Sequence, residues 1–216
     1  MKAIIFDMDG VLTDTESLHF EVWKQVFAER GLEIDYEHYK GCIGSTRHFL
    51  CELLLKYYGK DFRNDPELPV RFAELKEEFL TKNGIPQIPF AAETVKLLHE
   101  KGYTLAVASS SPLRYIEFSM KTLGIDSCFT LLFSGEQVKN PKPAPDTFLA
   151  AAKQLNLAPK DCIVIEDSSN GSKAAHAAGM YCFGFVNPHS GEQDLSAADQ
   201  IFHDFRELPE KIFALK

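Results

Sequence analysis

Five short segments of this chain are apolar on consecutive residues rather than on alternate ones. They are Lys2–Asp7 (built on Ala3-Ile4-Ile5-Phe6), Tyr103–Ala108, Thr130–Ser134, Cys162–Glu166 and Tyr181–Val186. An extended segment with apolar groups on both faces must be covered on both faces. Amphipathic stretches lie between these segments: Phe90–Lys101, Pro112–Leu123, Pro145–Leu155 and Gly171–Ala178. Gly102, Gly124 and Gly179 each follow the last periodic residue and act as helix stops. Strands alternating with helices in this way predict an α/β fold with a doubly wound parallel sheet, and Gln200–Phe202 is a short sixth strand.

Residues 16–89 break the alternation. Three amphipathic helices fit there, near Ser17–Arg30, Thr46–Tyr58 and Pro66–Lys82, and no strand does. The cluster Gly84-Ile-Pro-Gln-Ile-Pro89 reads as a return linker. The chain therefore divides into a core of residues 1–15 and 90–216 and a helical insertion of residues 16–89. A length of 216 residues suits one domain carrying a smaller one.

Net charge narrows the partners. The chain has 23 basic and 31 acidic residues, a balance of −8. Nucleic acid as the main partner needs a basic surface, and so does an electrostatic membrane anchor. No apolar run approaches the roughly 18 residues of a membrane span. The expected setting is cytoplasmic. Five scattered cysteines without a Cys-x-x-Cys pair read as reduced thiols.

The ends of the predicted strands carry the chemistry. The first ends in Asp7-Met8-Asp9-Gly10, the second in Ser109-Ser110-Ser111 and the fourth in Glu166-Asp167-Ser168. Open α/β sheets build their sites at the carboxyl ends of strands. Each feature alone fits a turn or a helix cap. Together they gather four carboxylates at one sheet edge, where they would repel each other. A hard cation with oxygen ligands resolves the repulsion, and Mg²⁺ suits carboxylates best. Lys142 lies in Lys-Pro-Ala-Pro-Asp, where prolines stiffen the approach to a helix. A lysine held in such a loop can fix a point charge against an anion.

Asp7-x-Asp9-Gly10, Ser109 after an apolar strand, Lys142, and Glu166-Asp167-x-x-x-Gly171 occur in one order along the chain. This set resembles the four motifs of the haloacid dehalogenase-like phosphatase superfamily, and the helical insertion is similar to that family's cap domain. The subgroup it resembles most is that of the β-phosphoglucomutase-like enzymes. The resemblance implies a Rossmann-like core and a phosphatase that acts through an aspartyl-phosphate. Asp7 is then the nucleophile and Asp9 the acid and base. Ser109 donates to the phosphoryl group, Lys142 neutralises charge, and Gly10 and Ser110 contact substrate. Mg²⁺ is implied at the Asp7 side chain, the Asp9 carbonyl and Asp167, with Glu166 joining directly or through water. An Asp two residues after the nucleophile argues against dehalogenation, where no alcohol needs a proton.

In the insertion, His19 and Trp23 are four apart on one helix face. Trp23 reads as packing, whereas His19 is a candidate substrate contact. Related mutases have a cap loop Lys-Gly-x-Ser-Arg; here it reads Ile43-Gly44-Ser45-Thr46-Arg47. Arg47 is kept and is a candidate for a second phosphate or a sugar hydroxyl, but the lysine is gone. Phosphonate-cleaving relatives need a cap lysine that forms a Schiff base; Lys24 and Lys40 lie in the insertion without any sign of burial. The expectation is a monomeric, Mg²⁺-dependent phosphatase for small phosphorylated metabolites, sugar phosphates in particular. A β-phosphoglucomutase-type mutase is the alternative. A metal-binding regulatory module without catalysis is the alternative of another class.

Overall fold

A computed structural model describes residues 3–43 and 46–215. Lys2 of the expected first strand, and Gly44 and Ser45 of the loop before Arg47, lie outside the described residues. The strands are β1 (Ala3–Phe6), β2 (Thr104–Ser109), β3 (Leu131–Ser134), β4 (Cys162–Glu166), β5 (Tyr181–Phe185) and β6 (Gln200–Phe202). All pair in parallel, in the order β3-β2-β1-β4-β5-β6. The helices in chain order are α1 (Glu16–Ala28), α2 (Tyr36–Tyr39), α3 (Arg47–Tyr58), α4 (Glu67–Asn83), α5 (Ala91–Glu100), α6 (Leu113–Thr122), α7 (Asp146–Gln154), α8 (Ser169–Ala177) and α9 (Leu208–Ala214).

The continuous apolar runs explain the layering. Along β1, Ile4 and Phe6 enter one core while Ala3 and Ile5 enter the other. The same alternation sorts Leu105 and Val107 from Ala106 and Ala108 on β2. The Ile4 face packs against α5, α6 and α9 through Val95, Leu98, Ile116, Met120 and Ile212. The Ile5 face packs against α7 and α8 through Phe148, Ala151, Ala174 and Ala175. Burying each large side chain contributes about 1.5–3 kcal/mol, which makes this two-sided arrangement the stable one.

The expected elements form with their ends shifted by one or two residues, and two helices were not foreseen. The four-residue α2 is capped by the Asp35 carboxylate, which accepts from the His38 backbone N–H. The final α9 sits against the Ile4 face through Leu208 and Ile212. Helices α1–α4 carry a third apolar cluster of their own, with Val26, Phe27, Leu50, Cys51 and Leu68 at its centre. The chain leaves and returns along paired linkers: the Asp14 N–H donates to the Pro86 carbonyl at 2.9 Å, and Ile88 to Leu12 at 3.4 Å. All five cysteines are free and buried, as expected for reduced thiols. No helix among the described residues is long and apolar enough to cross a membrane.

Strand order reverses between β1 and β4, which opens a crevice at their carboxyl ends. Asp7 follows β1 and Asp167 follows β4, so the topology alone delivers both to that crevice.

Candidate active site

The floor is an ionic cluster around Lys142. Its Nζ donates to Asp7 Oδ1 at 2.8 Å, to Glu166 Oε1 at 2.9 Å and to the Ala108 carbonyl at 3.2 Å. The lysine side chain is fully shielded from solvent, and Phe148 lies beneath it with 4.6 Å from Nζ to the ring centroid. Burial opposes the lysine's charge, but Asp7 and Glu166 outweigh it and hold the ammonium above its usual range. Burial pushes the Asp7 carboxyl up to about 7. Lys142 opposes that rise, and the Glu166 and Asp9 charges add to it. Glu166 Oε2 accepts from the Ser168 N–H and hydroxyl at 2.8 and 2.9 Å, so both of its oxygens have donors.

Two glycines make room for these carboxylates. A Cβ on Gly171 would stand 1.6 Å from Glu166 Oε1. A Cβ on Gly10 would stand 2.0 Å from Asp167 Oδ2, and Gly10 also takes a φ of +83°, which L side chains resist.

Asp7, Glu166 and Asp167 each offer an oxygen, all within 4.8 Å of one another. All three are buried; Lys142 bridges Asp7 and Glu166, while Asp167 accepts from the Ser190 hydroxyl. An all-oxygen donor set of this kind fits a hard divalent cation.

Asp9 sits in different surroundings. Thr15 Oγ1 donates to its Oδ1 at 2.5 Å and Ser111 Oγ to its Oδ2 at 2.7 Å. Lys76 Nζ, from α4, lies 4.0 Å from Oδ1. Burial favours the protonated acid, but Lys76 and the two hydroxyls outweigh it and hold Asp9 below the usual carboxylate range. Burial and the Lys76 charge push the His19 imidazole down to about 3, against the pull of Asp9. His19 is thus neutral, and its Nε2 accepts from Lys76 Nζ at 2.6 Å. The 3.5 Å approach of His19 to Asp9 is accordingly not an ion pair.

A cavity of about 1170 Å³ opens between the helical region and the sheet edge. Asp7, Asp9, Ser109, Ser110, His19 and Arg47 all line it. Lys142, Glu166 and Asp167 lie below its wall. Gly10 is also off the wall: its N–H donates to the Thr13 carbonyl at 2.7 Å and its carbonyl accepts from Asn187 Nδ2 at 3.0 Å. Arg47 starts α3 on the exposed side, and its position in the loop pattern carries no second cation, because Ile43 is buried with its carbonyl bonded to Asn170. Trp23 packs as expected, its ring stacked 4.1 Å from Phe72.

Sequence reasoning missed Lys76, Ser111, Tyr115 and Arg114, all on the cavity wall. Lys76 had a readable signal. Leu68, Phe72, Lys76 and Leu80 are four apart, so the lysine stands in the apolar stripe of α4. It is the buried lysine of the insertion, capped by the Tyr115 ring 3.5 Å away, whereas Lys24 is exposed and Lys40 pairs with Glu37. Ser111 gave no signal beyond its neighbours in the serine run.

Comparisons with known proteins agree on one family. The model of the haloacid dehalogenase-like hydrolases matches residues 4–185. The fructose-1-phosphate phosphatase YqaB of Escherichia coli is 31% identical over 178 residues, covering 82% of this chain and 93% of that protein. Among solved structures, CbbY from Rhodobacter sphaeroides in complex with xylulose-(1,5)bisphosphate superposes with a TM-score of 0.82 at 26% identity, covering 96% of both chains. The β-phosphoglucomutase of Clostridium difficile superposes with a TM-score of 0.81 at 28% identity, covering 99% of this chain and 95% of that one.

Proposed function

Because this chain belongs to the haloacid dehalogenase-like hydrolases, we propose that it is a Mg²⁺-dependent phosphatase of small phosphorylated metabolites, sugar phosphates in particular, working through an aspartyl-phosphate. The observation that carries this reading is the contrast between two carboxylates two residues apart. Asp7 lies in a buried cluster short of positive charge, and Asp9 lies on the cavity wall among proton-bearing groups. Two carboxylates in separated environments are what a nucleophile and an acid–base partner need.

Asp7 attacks phosphorus, and the bond from phosphorus to the alcohol oxygen breaks. Asp9 gives the leaving oxygen a proton, then takes one from the water that hydrolyses the acyl phosphate. Lys76 and the Thr15 and Ser111 hydroxyls hold Asp9 ionised, the form that accepts a proton. Loading it as an acid requires the Lys76 contact to loosen when substrate enters. Lys142 keeps Asp7 oriented and takes up charge shared with the phosphoryl group. Ser109 and Ser110 face the cavity as hydrogen-bond partners for that group. With Mg²⁺ bound, the phosphoryl oxygens gain charge neutralisation; Asp7, the Asp9 carbonyl and Asp167 would hold the ion. Glu166 holds Lys142 in place through Oε1 and would join the ion directly or through water. The helices of residues 16–89 form a cap that excludes water, and Arg47 and Arg114 favour an anionic or hydroxyl-rich substrate end. A monomer suffices, because every group invoked comes from one chain.

The similarity to a β-phosphoglucomutase supports a mutase as the second reading. The lack of a cation at Ile43 weighs against gripping a bisphosphate at both ends. One experiment tests both. Phosphate release is followed with and without Mg²⁺ from sugar phosphates, nucleotides and pyrophosphate, for the wild type and Asp7→Asn. Glucose 6-phosphate formed from β-glucose 1-phosphate is monitored in the same tubes. Release that needs Mg²⁺ and vanishes in Asp7→Asn is expected. Glucose 6-phosphate without free phosphate would make the protein a mutase. Neither product from any substrate would leave a metal-binding module.

A further inference from the structure

The loop between β5 and β6 supplies none of the expected motif residues, yet it reaches the centre of the site. Ser190 is fully buried, and its hydroxyl donates to Asp167 Oδ2 at 2.5 Å. Asn187, also buried, donates from Nδ2 to the Gly10 carbonyl at 3.0 Å. Gly10 in turn lies directly against the Asp167 carboxylate. These contacts close a ring: Asn187 holds Gly10, Gly10 packs on Asp167, and Ser190 holds Asp167. The loop is itself braced. The Asn187 side chain accepts from the His189 N–H at 2.8 Å, the Ser190 N–H donates to the Asn187 carbonyl at 3.2 Å, and Gln193 Nε2 donates to the Ser190 carbonyl at 3.1 Å. Gln193 Oε1 accepts from the Ser169 N–H at 3.1 Å, which ties the loop to the first turn after Asp167.

From this geometry we infer that Ser190 is a positioning residue for Asp167: it fixes the rotation of that carboxylate so that the site is set for a divalent cation before one arrives. The inference rests on the divalent-cation reading above. A buried hydroxyl has cheap alternatives, since any backbone carbonyl would satisfy it. Here it is directed at a carboxylate of the cation site. A hydrogen bond on Oδ2 narrows the last torsion of this carboxylate beforehand, which spares part of the entropy of fixing it on binding. Hydrogen bonds to metal-ligating carboxylates act in this way, and removing one typically costs 10–100-fold in metal affinity. Asn187 works one step further out, through the Gly10 backbone.

The test titrates Mn²⁺, followed by the electron paramagnetic resonance of the free ion, into the wild type, Ser190→Ala, Ser190→Gly and Ser172→Ala. Ser172 is an equally buried serine whose hydroxyl donates to the Ser169 carbonyl instead. Ser190→Ala is expected to bind Mn²⁺ about 10–100-fold more weakly, with kcat at saturating metal nearly unchanged. Ser172→Ala is expected to bind as the wild type does. Ser190→Gly removes the same hydroxyl by a second route, and should Ser190→Ala fail to fold, the glycine variant gives the answer. Wild-type affinity in either Ser190 variant overturns the inference, and so does an equal loss in Ser172→Ala. If the wild type binds Mn²⁺ and Ser190→Ala binds it as well, the role of Ser190 alone falls. If the wild type binds none, the cation reading falls with it.

Discussion

Two buried lysines serve the Asp7 and Asp9 carboxylates separately. Lys142 comes from the floor, is fully enclosed, and bridges Asp7 and Glu166 at 2.8 and 2.9 Å. Lys76 comes from the helical roof, stands 4.0 Å from Asp9 and rests on the Tyr115 ring. The floor lysine is welded into a charge cluster whose loss would leave two anions buried. The roof lysine touches its carboxylate loosely and shares its proton with a neutral histidine. The difference separates two tasks. A nucleophile needs fixed geometry, whereas an acid–base group needs a cation that can come and go.

The largest effect should come from breaking the floor. Lys142→Met removes a cation from between two buried carboxylates, so phosphate release should fall on the order of 10²–10³-fold. Stability in metal-free buffer at neutral pH should fall by about 3–5 kcal/mol in urea denaturation, with part of the loss recovered on adding Mg²⁺. A variant as stable as the wild type would show that the cluster is not charge-limited.

The matching change in the roof should separate activity from stability. Lys76→Met should lower kcat about 10–100-fold and change stability by under about 1 kcal/mol, because the lysine can be replaced by an apolar group on the Tyr115 ring. Losing that cation also raises Asp9, so the acidic limb of the rate profile should move to higher pH. An unmoved limb would uncouple Lys76 from Asp9.

The floor should also couple metal to protons. Asp7 stands at about 7 in the absence of metal, yet it must be ionised to hold a cation. The half-saturating Mg²⁺ concentration should therefore be flat above pH 7 and rise roughly tenfold per unit below it. Proton release on Mg²⁺ addition at pH 6.5, read with an indicator dye, checks this; no release would place Asp7 as already ionised.

The last effect is in the roof and shows only in acid. His19 is held down to about 3, against 6.5 for an ordinary histidine. Between those values the unfolded chain binds a proton that the folded chain refuses. Stability therefore falls as pH drops below 6.5, and this contribution is complete above it. His19→Gln should flatten that acid slope in denaturation at pH 4–6.5, and an unchanged slope would assign it to other groups.

The floor was legible in the sequence because each of its residues ends a strand or stiffens a loop. Asp7, Asp9, Ser109 and Glu166-Asp167 follow apolar runs, and parallel strands bring their ends to one edge. Lys142 was marked by its prolines. The roof was less legible. Lys76 was readable only as a misfit in the apolar stripe of α4, and nothing local says which carboxylate it meets 67 residues away. Ser190 had no signal: its partner follows the neighbouring strand β4, 23 residues away, and a serine in a loop is ordinary.

The sequence by itself determined the layered sheet, the helical insertion after β1 and the gathering of carboxylates at one edge. These follow from periodicity, from burial and from the rule that parallel strands share a direction. Only the tertiary structure decided which cation serves which carboxylate. It alone also showed that both Glu166 oxygens have hydrogen-bond donors, and that the β5–β6 loop holds Asp167. Charge pairing inside a protein depends on distances of a few ångströms between chain segments far apart in sequence. Packing sets those distances, and no local pattern encodes them.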